Sequence, residues 1–84
     1  MKVRVLFFAS LREEIGSDEI QVRLPEGSTS DSLPTALSPQ LDDQAISLLQ
    51  GDSVRVAVNL EMLDGVVELH DNDEIAYFPQ VTGG

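Results

Sequence analysis

Lys2-Val3-Arg4-Val5-Leu6-Phe7-Phe8 alternates apolar and basic side chains over its first half, and this two-residue period is typical of a β-strand. The odd-numbered residues, from Val3 onward, are apolar and fall on one face of that strand. Leu6 and Phe8 also make its far end apolar on the opposite face. We therefore predict a strand over residues 2–8 whose far end is central in a sheet or covered by another element.

Strand signals recur at several other places along the chain. Residues 20–24 and 54–58 alternate in the same way, and the last strand is expected over residues 74–78. A short strand begins at Met62, between two turn signals. Asn72, in the turn before the last strand, is suited to a positive φ.

Three short helices are expected between the strands. The first covers residues 10–16, where Ser10 and Glu13 have the spacing of a capping box and Gly16 can close the last turn. In the second, Pro34 is tolerated only in the first turn, so this helix starts near residues 30–32. The third contains the apolar residues between Ala45 and Gly51. Strands that flank a helical middle predict an α+β fold with the helices on one face of a sheet.

Length and composition indicate a single small domain. The 84 residues, 42% of them hydrophobic and 24% charged, are typical of a globular protein with one core. We place the domain at residues 1–78 and a flexible tail at residues 79–84. No apolar run reaches transmembrane length, and no signal-peptide pattern precedes the first strand, so we expect a cytoplasmic protein.

The charge and the lack of cysteine exclude several classes of function. Five basic and fifteen acidic residues give a formal net charge of −10, which repels phosphate backbones and anionic membranes, so nucleic acid and membrane partners are not expected. The acidity either provides solubility or steers the chain toward basic protein surfaces. Without cysteine there is no disulfide, no thiolate nucleophile and no sulfur-ligated metal.

Side chains within the domain offer no candidate for catalysis. His70 is the only histidine, and an exposed loop position explains it better than a catalytic triad. Asp71, Asp73 and Glu74 resemble a cation-binding loop only faintly, because the glycine and the later bidentate glutamate of that pattern are absent. No glycine-rich phosphate loop is present. We therefore expect no metal site and no bound cofactor.

The segment Pro79-Gln80-Val81-Thr82-Gly83-Gly84 has no packing pattern, and its chemistry points to the terminal carboxylate. A carboxylate becomes electrophilic when it forms a mixed anhydride with a nucleotide, and a sulfur donor can then displace the nucleotide to leave a thiocarboxylate. Glycines at the last two positions would pass through a narrow channel that larger side chains would block. Six residues can reach about 20 Å. The other reading is an incidental floppy tail.

The sequence resembles the MoaD/ThiS family of sulfur carriers over essentially its whole length. The residues that carry the resemblance are Val5-Leu6-Phe7-Phe8-Ala9, Leu11-Arg12-Glu13, Val56-Ala57-Val58-Asn59, the segment from Asp71 to Pro79, and Val81-Thr82-Gly83-Gly84. The resemblance implies a ubiquitin-like β-grasp fold with a mixed sheet. It also implies that an E1-like enzyme uses ATP to adenylate Gly84, which a sulfur donor protein then helps convert to a thiocarboxylate.

Within the family, the length, the Phe-Phe-Ala opening and the Tyr-Phe-Pro approach to the tail are closer to the molybdopterin branch than to the shorter thiamine branch. That branch implies a heterotetramer in which two copies of the chain insert their tails into a dimer of molybdopterin synthase large subunits. The large subunit would supply the catalytic groups, and precursor Z (cyclic pyranopterin monophosphate) would receive the sulfur. The chain would then be a cosubstrate rather than an enzyme alone.

Three alternatives remain open at this point. The first is a thiamine-pathway carrier, and the second is a protein modifier conjugated through Gly84. Chain building by such a modifier is disfavoured because Lys2 is the only lysine. The third is a plain interaction module with an incidental tail.

Some positions depart from the family pattern. Asn72 stands where glycine is common, which is harmless at a positive φ. Gln80 replaces a frequent second proline, and Pro34 enters a segment that is usually helical. Neither change affects the chemistry of the terminal glycine.

The partner-binding surface is expected on the sheet near the tail. If residues 75 and 77 point inward, Phe78 points outward, and an exposed aromatic beside a functional tail is suited to anchor a partner. We assign Met62, Pro79 and Val81 to the same surface, with Arg12 as a polar contact. The alternative is that Phe78 belongs to the core.

Overall fold

The computed structural model describes residues 1–80, and the predicted reactive residues Gly83 and Gly84 lie outside them, as do Val81 and Thr82. Five strands and three helices follow in the order β1 (Lys2–Phe7), α1 (Ser10–Ile15), β2 (Glu19–Arg23), α2 (Leu33–Ala36), α3 (Asp43–Gln50), β3 (Val54–Val58), β4 (Glu61–Met62) and β5 (Glu74–Pro79). None of the helices in this part of the chain has the length and apolar character needed to cross a membrane.

The strands form one mixed sheet in the order β2-β1-β5-β3-β4. β1 pairs antiparallel with β2 and parallel with β5, so the first strand lies inside the sheet as its two-sided apolar end predicted. β3 pairs antiparallel with both β5 and β4. This is the β-grasp arrangement that the family resemblance implied.

The core lies between one face of this sheet and the three helices. From the sheet it takes Val3, Val5, Phe7, Ile20, Val22, Ile75 and Tyr77, and from the helical side Leu11, Leu33, Leu37 and Leu49. Burial of each large aliphatic side chain stabilises the fold by about 1.5–3 kcal/mol. The helices therefore cover a single face of the sheet, as predicted.

Two aromatic side chains join the central strands inside this core. Phe7 and Tyr77 are opposite each other across the β1–β5 pair, and their rings stack with centroids 6.0 Å apart. Both residues are almost fully buried. Burial raises the pKa of the Tyr77 hydroxyl above its ordinary value, so this group stays neutral at physiological pH.

The start of α1 differs from the prediction. The capping residue is Ala9, with φ 54° and no side-chain hydrogen bond, and Ser10 is already the first helical residue. The Phe8 amide is still held by the Tyr77 carbonyl at 3.0 Å, so the chain must reverse at Ala9 in a single step. The capping box at Ser10 is therefore wrong, whereas Gly16 ends the helix in the left-handed conformation, with φ 87°, as predicted.

The other two helices are short and begin at defined residues. Pro34 lies in the first turn of α2, as predicted, but the helix begins at Leu33 rather than within residues 30–32, and Ser32 is the preceding cap position. α3 begins at Asp43, two residues earlier than predicted. The reason is Asp42, whose carboxylate accepts the Ala45 amide at 2.8 Å and fixes the first turn.

β5 is one residue longer than predicted, because Pro79 lies opposite Val54 and the Gln80 amide donates to the Ser53 carbonyl at 2.8 Å. The Phe8 amide donates to the Tyr77 carbonyl, so the backbone groups of Tyr77 face β1, and those of Pro79, two residues later, face the same side. β1 ends at Phe7 and therefore does not extend far enough to pair with Pro79. The missing N–H of the proline therefore removes no bond from the sheet.

A buried carboxylate joins the end of β3 to the turn before β5. Asp73 is 9% exposed; one of its oxygens accepts the Asn59 side-chain amide at 2.8 Å, and the other accepts the backbone amide of His70 at 2.8 Å. The Asn59 side-chain oxygen in turn accepts the Glu74 amide at 3.0 Å. Asn72 has φ 69°, as predicted. This acidic turn is thus a structural hydrogen-bond network.

Replacing Asp73 by alanine should lower the free energy of unfolding by about 1–3 kcal/mol, because it removes two partly buried hydrogen bonds, from the Asn59 side chain and the His70 amide. Urea denaturation followed by circular dichroism measures this. Asp64→Ala is the control, because Asp64 is an exposed turn residue. Equal stability of the two variants would contradict the structural role of Asp73.

Candidate functional site

The face of the sheet away from the helices carries a group of apolar side chains near the end of β5. Residue pairing places Leu6, Ala76, Ala57 and Met62 in one row across four strands. Phe78 follows Ala76 on the same face, paired with Arg55. Phe8 comes directly after β1, two residues beyond Leu6, and its amide donates to the Tyr77 carbonyl, so alternation assigns it to the same face. We call Leu6, Phe8, Ala57, Met62, Ala76 and Phe78 the outer apolar patch.

Phe78 has the orientation that alternation predicted. Ile75 and Tyr77 are buried in the core, whereas Phe78 points to the other face, opposite the exposed Arg55. Phe78 is half-buried and is not part of the core cluster. Its identification as a core residue is therefore wrong, and its part in binding a partner stays a prediction.

Met62 and Phe8 are the most exposed members of the patch. Met62, on the edge strand β4, is 45% exposed, and Phe8 is 47% exposed. Phe8 was not among the residues assigned to the partner surface. The sequence contains the signal, because Leu6 and Phe8 make both faces of the end of β1 apolar. The same pattern also fits burial of that end by another element of the domain.

The remaining predicted site residues lie near the same end of the sheet or outside the described part. Arg12 is exposed on α1, which packs against β5. Pro79 ends β5 and is half-buried. Val81, Gly83 and Gly84 fall outside the described residues, so the role of Val81 in partner binding and the roles of the two glycines in the chemistry stay predictions.

The ladder at Pro79 and Gln80 shortens the length of chain available to reach a partner. Four residues follow Gln80, and four residues span at most about 13 Å. The sequence had suggested a reach of about 20 Å from Pro79. A pocket that receives Gly84 must therefore approach closely to the end of β5, where the outer apolar patch lies.

Charge is divided unevenly between the two sides of the molecule. The outer face of the sheet carries four of the five basic residues, Lys2, Arg4, Arg23 and Arg55. Among strand residues, it carries only Glu19 and Glu74 of the fifteen acidic ones. The negative field of the chain therefore arises mainly from the helical side and the loops.

No side-chain catalytic group is assembled within residues 1–80. The His70 side chain is 73% exposed, and its Nδ1 lies 4.0 Å from an Asp73 oxygen that already accepts a backbone amide. The same residues contain no group of three or more histidine or acidic side chains placed to hold a metal ion.

Known proteins resemble this chain in both sequence and structure. The molybdopterin synthase sulfur carrier subunit of Escherichia coli (strain K12) is 38% identical over 82 residues, which cover 98% of this chain and 99% of the relative. Two crystal structures of small archaeal modifier protein 1 from Haloferax volcanii superpose with TM-scores of 0.82 and 0.79. They are 27% and 26% identical and cover 100% and 95% of this chain, and 100% and 98% of their own chains.

A third similarity concerns the fold alone. A complex of subunits 1 and 2 of the molybdopterin-converting factor from Helicobacter pylori 26695 contains a chain with a TM-score of 0.62 and 22% identity, with full coverage of both chains.

The ThiS family profile matches residues 5–84, which include most of the β-grasp domain and the terminal Gly-Gly. The chain therefore belongs to the ThiS family of ubiquitin-like β-grasp proteins.

Proposed function

We propose that the chain is the sulfur carrier subunit of a molybdopterin synthase and that Gly84 carries the sulfur. The observation that supports this most strongly is the outer apolar patch, which lies near the end of β5, the last strand before the Gly-Gly segment in the sequence. The full-length similarity to a relative named as such a subunit points the same way. The docking surface and the reactive end would thus be adjacent.

The proposed chemistry takes place in two steps before transfer. The Gly84 carboxylate attacks the α-phosphorus of ATP in an E1-like enzyme, which releases pyrophosphate and leaves an acyl adenylate. A persulfide sulfur on the sulfur donor protein attacks the acyl carbon, and AMP leaves to give an acyl disulfide. A second thiol then attacks the donor's own sulfur atom, the S–S bond breaks, and the products are the thiocarboxylate and a disulfide on the donor. The chain itself binds no cofactor in this scheme, since ATP is consumed on the activating enzyme.

The thiocarboxylate sulfur then attacks a carbon of precursor Z inside the large subunit and forms a thioester between the two. Water cleaves the acyl–sulfur bond, which leaves the sulfur on the substrate and regenerates the carboxylate of Gly84. Two copies of the chain would flank a dimer of large subunits in a cytoplasmic heterotetramer. The chain is then a sulfur-donating cosubstrate, and the catalytic groups belong to its partner.

Sulfur loading can be measured directly by intact-mass spectrometry. After incubation with ATP, the activating enzyme and a sulfur source, we expect a mass increase equal to the difference between one sulfur and one oxygen atom. Replacing Gly83 by valine should block this increase, because a branched side chain would clash with a narrow channel. An unchanged wild-type mass would contradict the proposal, and normal loading of Gly83→Val would contradict the channel argument.

A protein modifier is the second candidate, because the small archaeal modifier protein 1 structures superpose so closely. In that case the activated Gly84 would be attacked by a lysine amine of another protein. Immunoblotting of an epitope-tagged chain from cells separates the two functions. Higher-mass conjugates that vanish without Gly84 would support the modifier, whereas a free thiocarboxylate form supports the carrier.

A further inference from the structure

Two cations lie directly opposite each other on the outer face of the sheet. Lys2 on β1 pairs with Arg23 on β2 in the antiparallel ladder, so their side chains leave the same face as neighbours. Like charges in this position are unfavourable. We call Lys2, Arg4 and Arg23 the basic corner of the outer face.

The chain contains many carboxylates that could have relieved this repulsion, yet none pairs with these two side chains. Arg4 is neutralised by Glu74 at 2.7 Å and by Glu19 at 4.0 Å. Within residues 1–80, neither Lys2 nor Arg23 has a carboxylate within 4.0 Å of its side-chain cation, although the chain has fifteen acidic residues. The pair is therefore kept at a cost to stability, which is typical of residues retained for binding.

The basic corner and the outer apolar patch share one face but occupy opposite ends of β1. Lys2 and Phe8 are six positions apart on an extended strand, which corresponds to about 20 Å. An interface of standard size, about 800 Å² on each partner, is wide enough to cover both. The two regions are therefore suited to the same partner, which would meet apolar side chains at one end and cations at the other.

We propose that the basic corner binds a carboxylate-bearing surface on the protein partner that covers the outer apolar patch. This inference rests on the proposed function, in which that partner is the large subunit of molybdopterin synthase. The net charge of −10 alone would suggest a basic docking surface. On the outer face, however, the cations Lys2 and Arg23 predict an acidic docking surface on the partner instead of a basic one.

The test compares two variants with the same change in net charge. Arg23→Glu places a carboxylate opposite Lys2, and the double variant Gln44→Glu/Ser47→Glu adds the same charge on the exposed face of α3. Binding to the purified large subunit is measured by stopped-flow and calorimetry at low and high salt, and thermal midpoints are measured in parallel.

We expect Arg23→Glu to weaken binding by about tenfold at low salt, with a smaller effect at high salt, while the α3 double variant stays within about twofold. Arg23→Lys should bind nearly as the wild type does. The thermal midpoint of Arg23→Glu should be equal to or higher than that of the wild type, because opposite charges then face each other.

Two outcomes would count against the inference in different ways. If the wild-type chain binds the large subunit but Arg23→Glu behaves as the α3 double variant does, the acidic complement is wrong and the proposed function stands. If the wild-type chain does not bind the large subunit at all, the proposed function is overturned, and the inference fails with it.

Discussion

Removal of Gly84 should reduce sulfur loading to below detection while leaving the fold and its stability unchanged. The carboxylate then belongs to Gly83, one residue short of the position from which it would attack the α-phosphorus of ATP in the activating enzyme. Because residues up to Gln80 are tied to the sheet, a chain one residue shorter reaches about 3 Å less far from that anchor. Misplacement of a reacting group by a few ångströms is enough to prevent the reaction.

Intact-mass analysis under loading conditions measures this effect, and a two-dimensional NMR spectrum checks the fold. Adding one residue after Gly84 should have the same consequence, because the carboxylate is again displaced. Thr82→Ser is the matched control, since it changes the tail without changing its length. Sulfur loading of either the shortened or the extended chain would contradict the assignment of Gly84.

Replacing Phe78 by aspartate should weaken binding to the large subunit by about 2–4 kcal/mol, the range expected for an aromatic anchor at the centre of an interface. Phe78 is half-buried on the outer face and lies outside the core, so its replacement leaves no internal cavity. Arg55 lies opposite, and a carboxylate at position 78 would gain a partner there. We therefore expect the thermal midpoint to change by no more than a few degrees.

Leu60→Asp is the control for the loss of an exposed apolar side chain and the gain of a negative charge. Leu60 is 89% exposed and lies in the turn between β3 and β4, where its φ of 73° suits aspartate better than leucine. Calorimetric titration should find wild-type affinity for this variant. Unfolding of Phe78→Asp, or equal affinity of both variants, would contradict the anchoring role of Phe78.

The four longer strands were predictable because each carries its own periodic signal, whereas the two-residue strand β4 begins at Glu61, one residue before the predicted start. Val3 and Val5 alternate with basic residues, and the structure buries the former and exposes the latter. Local chemistry also predicted the left-handed Gly16 and Asn72. Errors arose where a distant element decides the outcome, as at Ser10, whose capping role was lost because the preceding residues are held by β5.

The candidate site was predicted only in part for a related reason. Alternation within β5 was sufficient to turn Phe78 outward, but it could not reveal which side chains lie next to it. The row from Leu6 to Met62 depends on the pairing of β1 with β5 and of β5 with β3, and no local pattern contains that information. The basic corner was missed in the same way, since Lys2 and Arg23 are distant in sequence.

The parallel pairing of β1 with β5 has a consequence for how the protein acquires its structure during synthesis. Arg4 and Glu74 are neighbours in the sheet, although nearly the whole chain separates them. Such pairings form late, because a long loop must close before any contact is gained. β5 also follows every other strand in chain order. A nascent chain therefore cannot complete its core until β5, the strand that precedes the Gly-Gly segment, has been synthesised and can pair with β1. An activating enzyme that requires the assembled sheet would then not modify unfinished or misfolded copies.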